Sequence, residues 1–247
     1  MRKNLVLAVL CLAVAFSFSI FTKPVQAEST ISCPSGTYDM LDWMTLDSNM
    51  RGNYHMAGSA NPLYTNMGSG KFYWTKGAKG TPWDIQLYDS KYIYLWITEL
   101  NWNDPHTFKK FANNTNMPLV PRCAKAGFPG SVIKVPNTSY QTYSDCSHYI
   151  TQNLKQGINQ VWGPYYLSLG GQLPSNLKIL VASYRYNCDI NYVSCNDKEE
   201  YYLSQKYGLV QWVHYIRIPA TGAYAQLQKT IFNKLIVGVV TPDFPCF

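Results

Sequence analysis

Two stretches of the chain alternate strictly. From Lys91 to Leu100, Tyr92, Tyr94, Trp96 and Thr98 fall on one parity and Ile93, Leu95, Ile97 and Glu99 on the other. From Leu209 to Ile218, Val210, Trp212, His214, Ile216 and Ile218 share one parity, while Gln211, Val213, Tyr215 and Arg217 share the other. A period of two belongs to a strand, whose successive side chains point to opposite faces. Lys178–Tyr186 and Gln228–Val239 read as further strands. So do the shorter Lys71–Thr75 and Ile85–Tyr88, which lie between turns containing Gly or Pro. Helical signals are few. Asp104-Pro105 predicts a helix start before His106–Ala112, and Ser144-Asp145 a cap for a helix over Cys146–Gly157. Together these elements predict a mainly β fold: an antiparallel two-sheet sandwich, jelly-roll-like in general character. It would have roughly 10–14 strands and one or two short helices.

The N-terminus departs from this pattern. Arg2 and Lys3 precede an apolar run from Leu5 to Ile20, and Val25-Gln26-Ala27 then offers small residues before Glu28. That is the layout of a secretory signal peptide cleaved after residue 27, leaving residues 28–247 as a single β-rich secreted domain. Cleavage would leave 18 basic residues against 14 acidic, a net charge of +4. The basic residues are scattered, with Lys71, Lys76 and Lys79 the densest set. A nucleic-acid groove needs a clustered basic stripe, so none is expected. No later apolar run is long enough to cross a membrane as a helix, so no insertion is expected once the leader is gone.

Six cysteines follow the leader: Cys33, Cys123, Cys146, Cys188, Cys195 and Cys246. An even count after a signal peptide predicts disulfides in an oxidising compartment. Cys188 and Cys195 flank a six-residue loop that one bridge would close. Cys33 and Cys246 lie near the two ends, and domain termini often lie close together, so they are expected to pair. Cys123 would then bond Cys146. No C-x-x-C occurs, and the four histidines lack the spacing of a zinc motif, so neither metal nor cofactor is expected.

Aromatic content changes the functional picture. The chain holds 20 Tyr and 7 Trp, and a flat ring offers an apolar surface to the C–H face of a pyranose. Asn101, Trp102, Asn103, Asp104 and His106 follow directly on the 91–100 strand, at a strand end where binding residues usually sit. They are the expected glycan-binding set, although core and cross-strand packing is the plainer use for any single ring. Glu99 shares a parity with Ile93, Leu95 and Ile97. If that face is buried, desolvation raises the carboxyl pKa, as a general acid requires. His214 lies on an apolar parity, where a packed core histidine is the plainer reading. In a groove it would be the base of a lyase, with Tyr215 or Arg217 nearby. Asp197, Glu199 and Glu200 form an acidic cluster that reads as a solvated loop, and adjacent Glu199 and Glu200 on a strand would face opposite sides.

The combined expectation is a secreted protein that binds an extracellular glycan through exposed aromatic and amide side chains. A polysaccharide-active enzyme, lyase or glycoside hydrolase, is the competing class, with Glu99, His214 and Tyr215 as its catalytic candidates. A structural or surface-interaction protein without a small ligand is the third.

Overall fold

The computed structural model describes residues 31–58, 62–76, 81–100, 104, 106–111, 117–241, 245 and 246. The expected leader lies outside them. In chain order the first strands are β1 (Thr37–Asp39), β2 (Tyr54–Ala57), β3 (Pro62–Gly68), β4 (Lys71–Lys76), β5 (Thr81–Tyr88) and β6 (Tyr92–Glu99). Shorter ones follow: β7 (Phe108–Phe111), β8 (Pro118–Pro121), β9 (Cys123–Lys125), β10 (Val132–Val135), β11 (Thr138–Tyr143) and β12 (Tyr149–Leu154). The last six are β13 (Gly157–Leu167), β14 (Leu177–Cys188), β15 (Cys195–Ser204), β16 (Gly208–Arg217), β17 (Tyr224–Ile231) and β18 (Lys234–Val237).

All pairings are antiparallel. One sheet runs β12-β11-β7-β6-β5-β4-β3-β2-β18, with β8 also on β6, and a six-stranded sheet runs β10-β13-β14-β15-β16-β17. Consecutive strands are neighbours from β2 to β7 and from β13 to β17, so each sheet is chiefly a meander; a jelly-roll path is not shown. The sheets meet through aromatic rings. Trp74 of β4 stacks on Tyr201 of β15 at 5.5 Å, and Trp83 of β5 meets Trp212 of β16 edge-on at 5.5 Å. Leu180, Ala182, Leu203 and Val210 complete this buried layer.

The only helix among the described residues is α1 (Met40–Met44), which the sequence reading missed. Asp39 caps it by accepting the Leu41 N–H at 3.0 Å, and Met40, Leu41, Trp43 and Met44 are all buried. Burial on nearly every side hides an amphipathic stripe, so the segment carries no 3.6-residue signal. Asp39 also takes a two-pronged bond from buried Arg122, with Nε at 2.5 Å and Nη2 at 2.9 Å.

Both expected helices are strands instead. His106–Ala112 contains β7, and Cys146–Gly157 contains β12. Asp145 accepts the N–H groups of Ser147 and His148, each at 2.7 Å. Those are the bonds of a helix cap, used here in a turn between β11 and β12.

Three disulfides cross-link the chain, which fits an oxidising environment. Cys188 bonds Cys195, as their spacing predicts. The other two pairs are exchanged: Cys33 bonds Cys123, and Cys146 bonds Cys246. Strand pairing explains the correction. β1 lies on β9, which brings the start of the described chain to Cys123. Cys246 packs against Ile85, Ile97 and Phe108 of the larger sheet, beside the β11–β12 turn that carries Cys146. Among the described residues no helix is long and apolar enough to cross a membrane.

Candidate functional site

A cavity of about 330 Å³ lies between the two sheets. The six-stranded sheet supplies its wall by simple alternation. Tyr184 and Tyr186 come from β14, Glu199 and Tyr201 from β15, and Trp212 from β16. The facing sheet supplies Trp74 and Lys76 from β4, Trp83 and Asp84 from β5, and Thr98 and Glu99 from β6. Trp83 and Asp84 are sequence neighbours and alternation would separate them. Trp74 pairs with Asp84 while Thr75 pairs with Pro82, so a bulge leaves Trp83 without an opposite residue. Bulges re-aim side chains in this way, and both residues face the cavity. Half-buried Lys109, Tyr140 and Leu154, with exposed Gln228, line its solvent side.

Glu199 is held by three neutral donors. Tyr201 Oη and Trp212 Nε1 each donate to Oε2 at 2.8 Å, and Tyr186 Oη donates to Oε1 at 3.0 Å. Burial raises the pKa of both phenols, and the charge of Glu199 adds to the rise, so each stays a donor. No cation pairs with Glu199 among the described residues. Across the cavity, Lys76 Nζ donates to Glu99 Oε1 at 2.6 Å and sits 4.1 Å from the centre of the Trp83 ring. Burial lifts the Glu99 pKa and lowers that of Lys76, and each partner's charge opposes the other's shift.

Asp84 is the most perturbed carboxyl here. Its pKa is pushed up to about 7, chiefly by burial and further by the charges of Glu199 and Glu99, against a bond from Thr98 and the charge of Lys76. Its Oδ1 is buried and finds no hydrogen-bond partner in the protein, and the same holds for the hydroxyl of Tyr184. A buried polar group left in that state costs free energy, about 1–3 kcal/mol each.

Of the expected catalytic residues, only Glu99 lines this cavity. His214 sits on the same face as Trp212, stacked on it at 6.1 Å, with Nε2 3.9 Å from Asp197 Oδ1, beside the cavity rather than on its wall. Tyr215 points to the opposite face, where its hydroxyl donates to Glu200 at 3.1 Å. The three therefore do not converge, because one residue of alternation separates His214 from Tyr215. Of the expected glycan-binding set, Asn101, Trp102 and Asn103 lie outside the described residues. Asp104 and His106 are solvent-facing and bonded to each other at 3.0 Å, and neither lines this cavity. The acidic cluster is not a solvated loop: all three residues lie in β15 and are partly buried.

Sequence reasoning missed Asp84, Lys76, Glu199 and the tyrosines as one constellation. The one available signal was a carboxylate set between Trp83 and Ile85, in a strand with no other charged residue. Among the described residues no group of three or more His, Cys, Asp or Glu is arranged to hold a metal ion. No protein-family model, curated protein or solved structure matches the chain significantly.

Proposed function

We propose that this is a secreted carbohydrate-binding protein whose sugar site is the inter-sheet cavity. The observation that carries the reading is the convergence of Asp84, Glu99, Glu199 and Lys76 on a space walled by Trp and Tyr rings. A volume of about 330 Å³ is at the small end for a ligand pocket, which suits one or two sugar units. Ring faces cover the C–H surface of a pyranose, and carboxyl oxygens bond its hydroxyls. Asp84 and Tyr184 line the same space, each with a buried polar atom that no protein group satisfies.

Glycan-array binding followed by titration on tryptophan fluorescence tests this. A neutral mono- or disaccharide is expected to change the emission of Trp74, Trp83 and Trp212. Glu199→Gln is expected to lower its affinity about tenfold or more, the size of one hydrogen bond to a charged group. Absence of any glycan ligand, or an affinity untouched by Glu199→Gln, overturns the reading.

The unequal carboxyl environments favour a second reading of the same cavity, cleavage of a glycosidic bond. A carboxyl that keeps its proton near neutrality, facing a second carboxyl held by three neutral donors, is the kind of unequal pair such chemistry uses. Asp84 would give its proton to the leaving oxygen, and Glu199 would take one from the water attacking the anomeric carbon. New reducing ends from a disaccharide, lost in Asp84→Asn while binding persists, would support cleavage. Binding with no turnover would leave a lectin.

A further inference from the structure

The alternation that turns Glu199 towards the cavity turns its neighbours Lys198 and Glu200 to the opposite face of the six-stranded sheet. There they line a second, larger groove of about 710 Å³. Its charges are unevenly matched. Glu200 is fully engaged: Lys198 Nζ donates to it at 3.0 Å, Tyr202 Oη at 2.9 Å and Tyr215 Oη at 3.1 Å. Arg185 has no carboxylate partner among the described residues, and its Nη2 donates only to the Gln160 side chain, at 3.0 Å. The indole Nε1 of Trp162, also on the groove, is buried without an acceptor. Arg185 and Lys198 against Glu200 leave a net charge of +1 in the lining. The groove thus holds a guanidinium without a carboxylate partner and no free acceptor carboxylate.

Aromatic faces wall the same space. Trp162 and Tyr165 come from β13, Tyr202 from β15 and Tyr224 from β17. One rim is stiff. The loop carrying Pro129 is tied to β13 by Gly130 N–H to Val161 O at 2.8 Å and by Gly163 N–H to Gly127 O at 3.1 Å. A Cβ on Gly130 would come within 2.1 Å of the Lys125 carbonyl oxygen, so the backbone there is packed too tightly for a side chain.

The geometry points to a binding site for a carboxylate-bearing sugar, a hexuronate or its oligomer, with Arg185 as the carboxylate receptor. A guanidinium grips a carboxylate through two parallel N–H bonds. The tyrosine and tryptophan faces take the C–H surface of the ring. This site is separate from the inter-sheet cavity and does not depend on that cavity holding a sugar.

The test is calorimetric titration of the intact protein with an oligogalacturonide and with its fully methyl-esterified form. The free acid is expected to bind at least about tenfold more tightly than the ester, since only the acid offers an ionised partner to Arg185. Arg185→Gln is expected to remove that preference, and Arg185→Lys to restore only part of it. Trp162→Phe shrinks the aromatic face on the groove and should leave the preference for the acid intact. Equal affinity of acid and ester for the wild-type protein overturns the proposal without any variant. So does an acid preference that survives Arg185→Gln in a folded protein, or a glutamate-rich peptide that binds as tightly as the oligogalacturonide. A neutral sugar bound in the cavity should not displace the acid, so failure of either site is read independently.

Discussion

Glu199 and Glu200 are adjacent on β15, and each accepts hydrogen bonds from three side chains. Their surroundings nevertheless make opposite sites. The donors to Glu199 are two phenols and an indole, all neutral, so its negative charge is solvated without a cation in contact, and Lys76, bonded to Glu99, feels it only at longer range. That charge reaches Asp84 across the cavity and helps hold its proton up to about pH 7. One donor to Glu200 is the Lys198 ammonium, which cancels its charge and leaves Arg185 unmatched nearby. The cavity therefore presents carboxyl groups and the groove presents donors. What decides the character of each face is where the fold deposits the counter-ion.

The sharpest way to break that comparison is to remove each acceptor in turn. Glu199→Leu strands Tyr186, Tyr201 and Trp212, and Tyr201 is almost fully buried. At about 1–3 kcal/mol for each stranded donor, a loss of about 5 kcal/mol in urea unfolding is expected. Glu200→Leu strands groups that reach the water of an open groove, so about 2 kcal/mol is expected. Equal losses would mean that the two faces are solvated alike and that the contrast is false.

A second measurement asks whether Asp84 keeps its proton as its burial, reinforced by the charges of Glu199 and Glu99, requires. Its folded pKa of about 7 lies above the ordinary 3.8. Between those values the folded chain keeps a proton that the unfolded chain has released. Stability from this group is therefore full below about pH 4, falls as pH rises, and levels off above about pH 7. The span is bounded by about 4 kcal/mol, from about 1.4 kcal/mol per pH unit. Asp84→Asn carries no proton to lose. Its stability relative to wild type is expected to climb from near zero at pH 4 to that bound above pH 7. A flat difference across the window would place the Asp84 pKa near its usual value and remove the acid from the cavity.

Much of the scaffold was readable from residues, and little of the site was. The alternation at Lys91–Leu100 and Leu209–Ile218 became β6 and β16 because period two is a local property of the backbone. The same parity put Glu199 and Glu200 on opposite sides. What parity could not supply was which side faces a second sheet, and so Glu199 looked like a solvated acid. The bulge that turns Trp83 and Asp84 to one face depends on how β4 meets β5, which no local pattern records. The Asp145 turn misled in another way. A carboxylate accepting two following N–H groups serves a helix start and a hairpin turn equally, and only pairing with β11 settles which. The crossed disulfides belong to the same class of information, since Cys33 finds Cys123 across 90 residues of sequence through the pairing of β1 with β9.

The smallest expected effect separates charge balance from contact in the groove. Lys198→Met removes one cation, takes the lining from +1 to neutral and leaves Glu200 held by Tyr202 and Tyr215. Affinity for the oligogalacturonide should fall about threefold at low salt, and the loss should shrink as salt screens the groove. Glu200→Gln changes the same balance in the other direction and should tighten binding by a similar factor, although it disturbs the same three donors. Opposite signs from two substitutions at one ion pair are what a donor-rich groove requires. If both weaken binding, Glu200 itself accepts from a sugar hydroxyl, and the two carboxylates of β15 do one job on two faces.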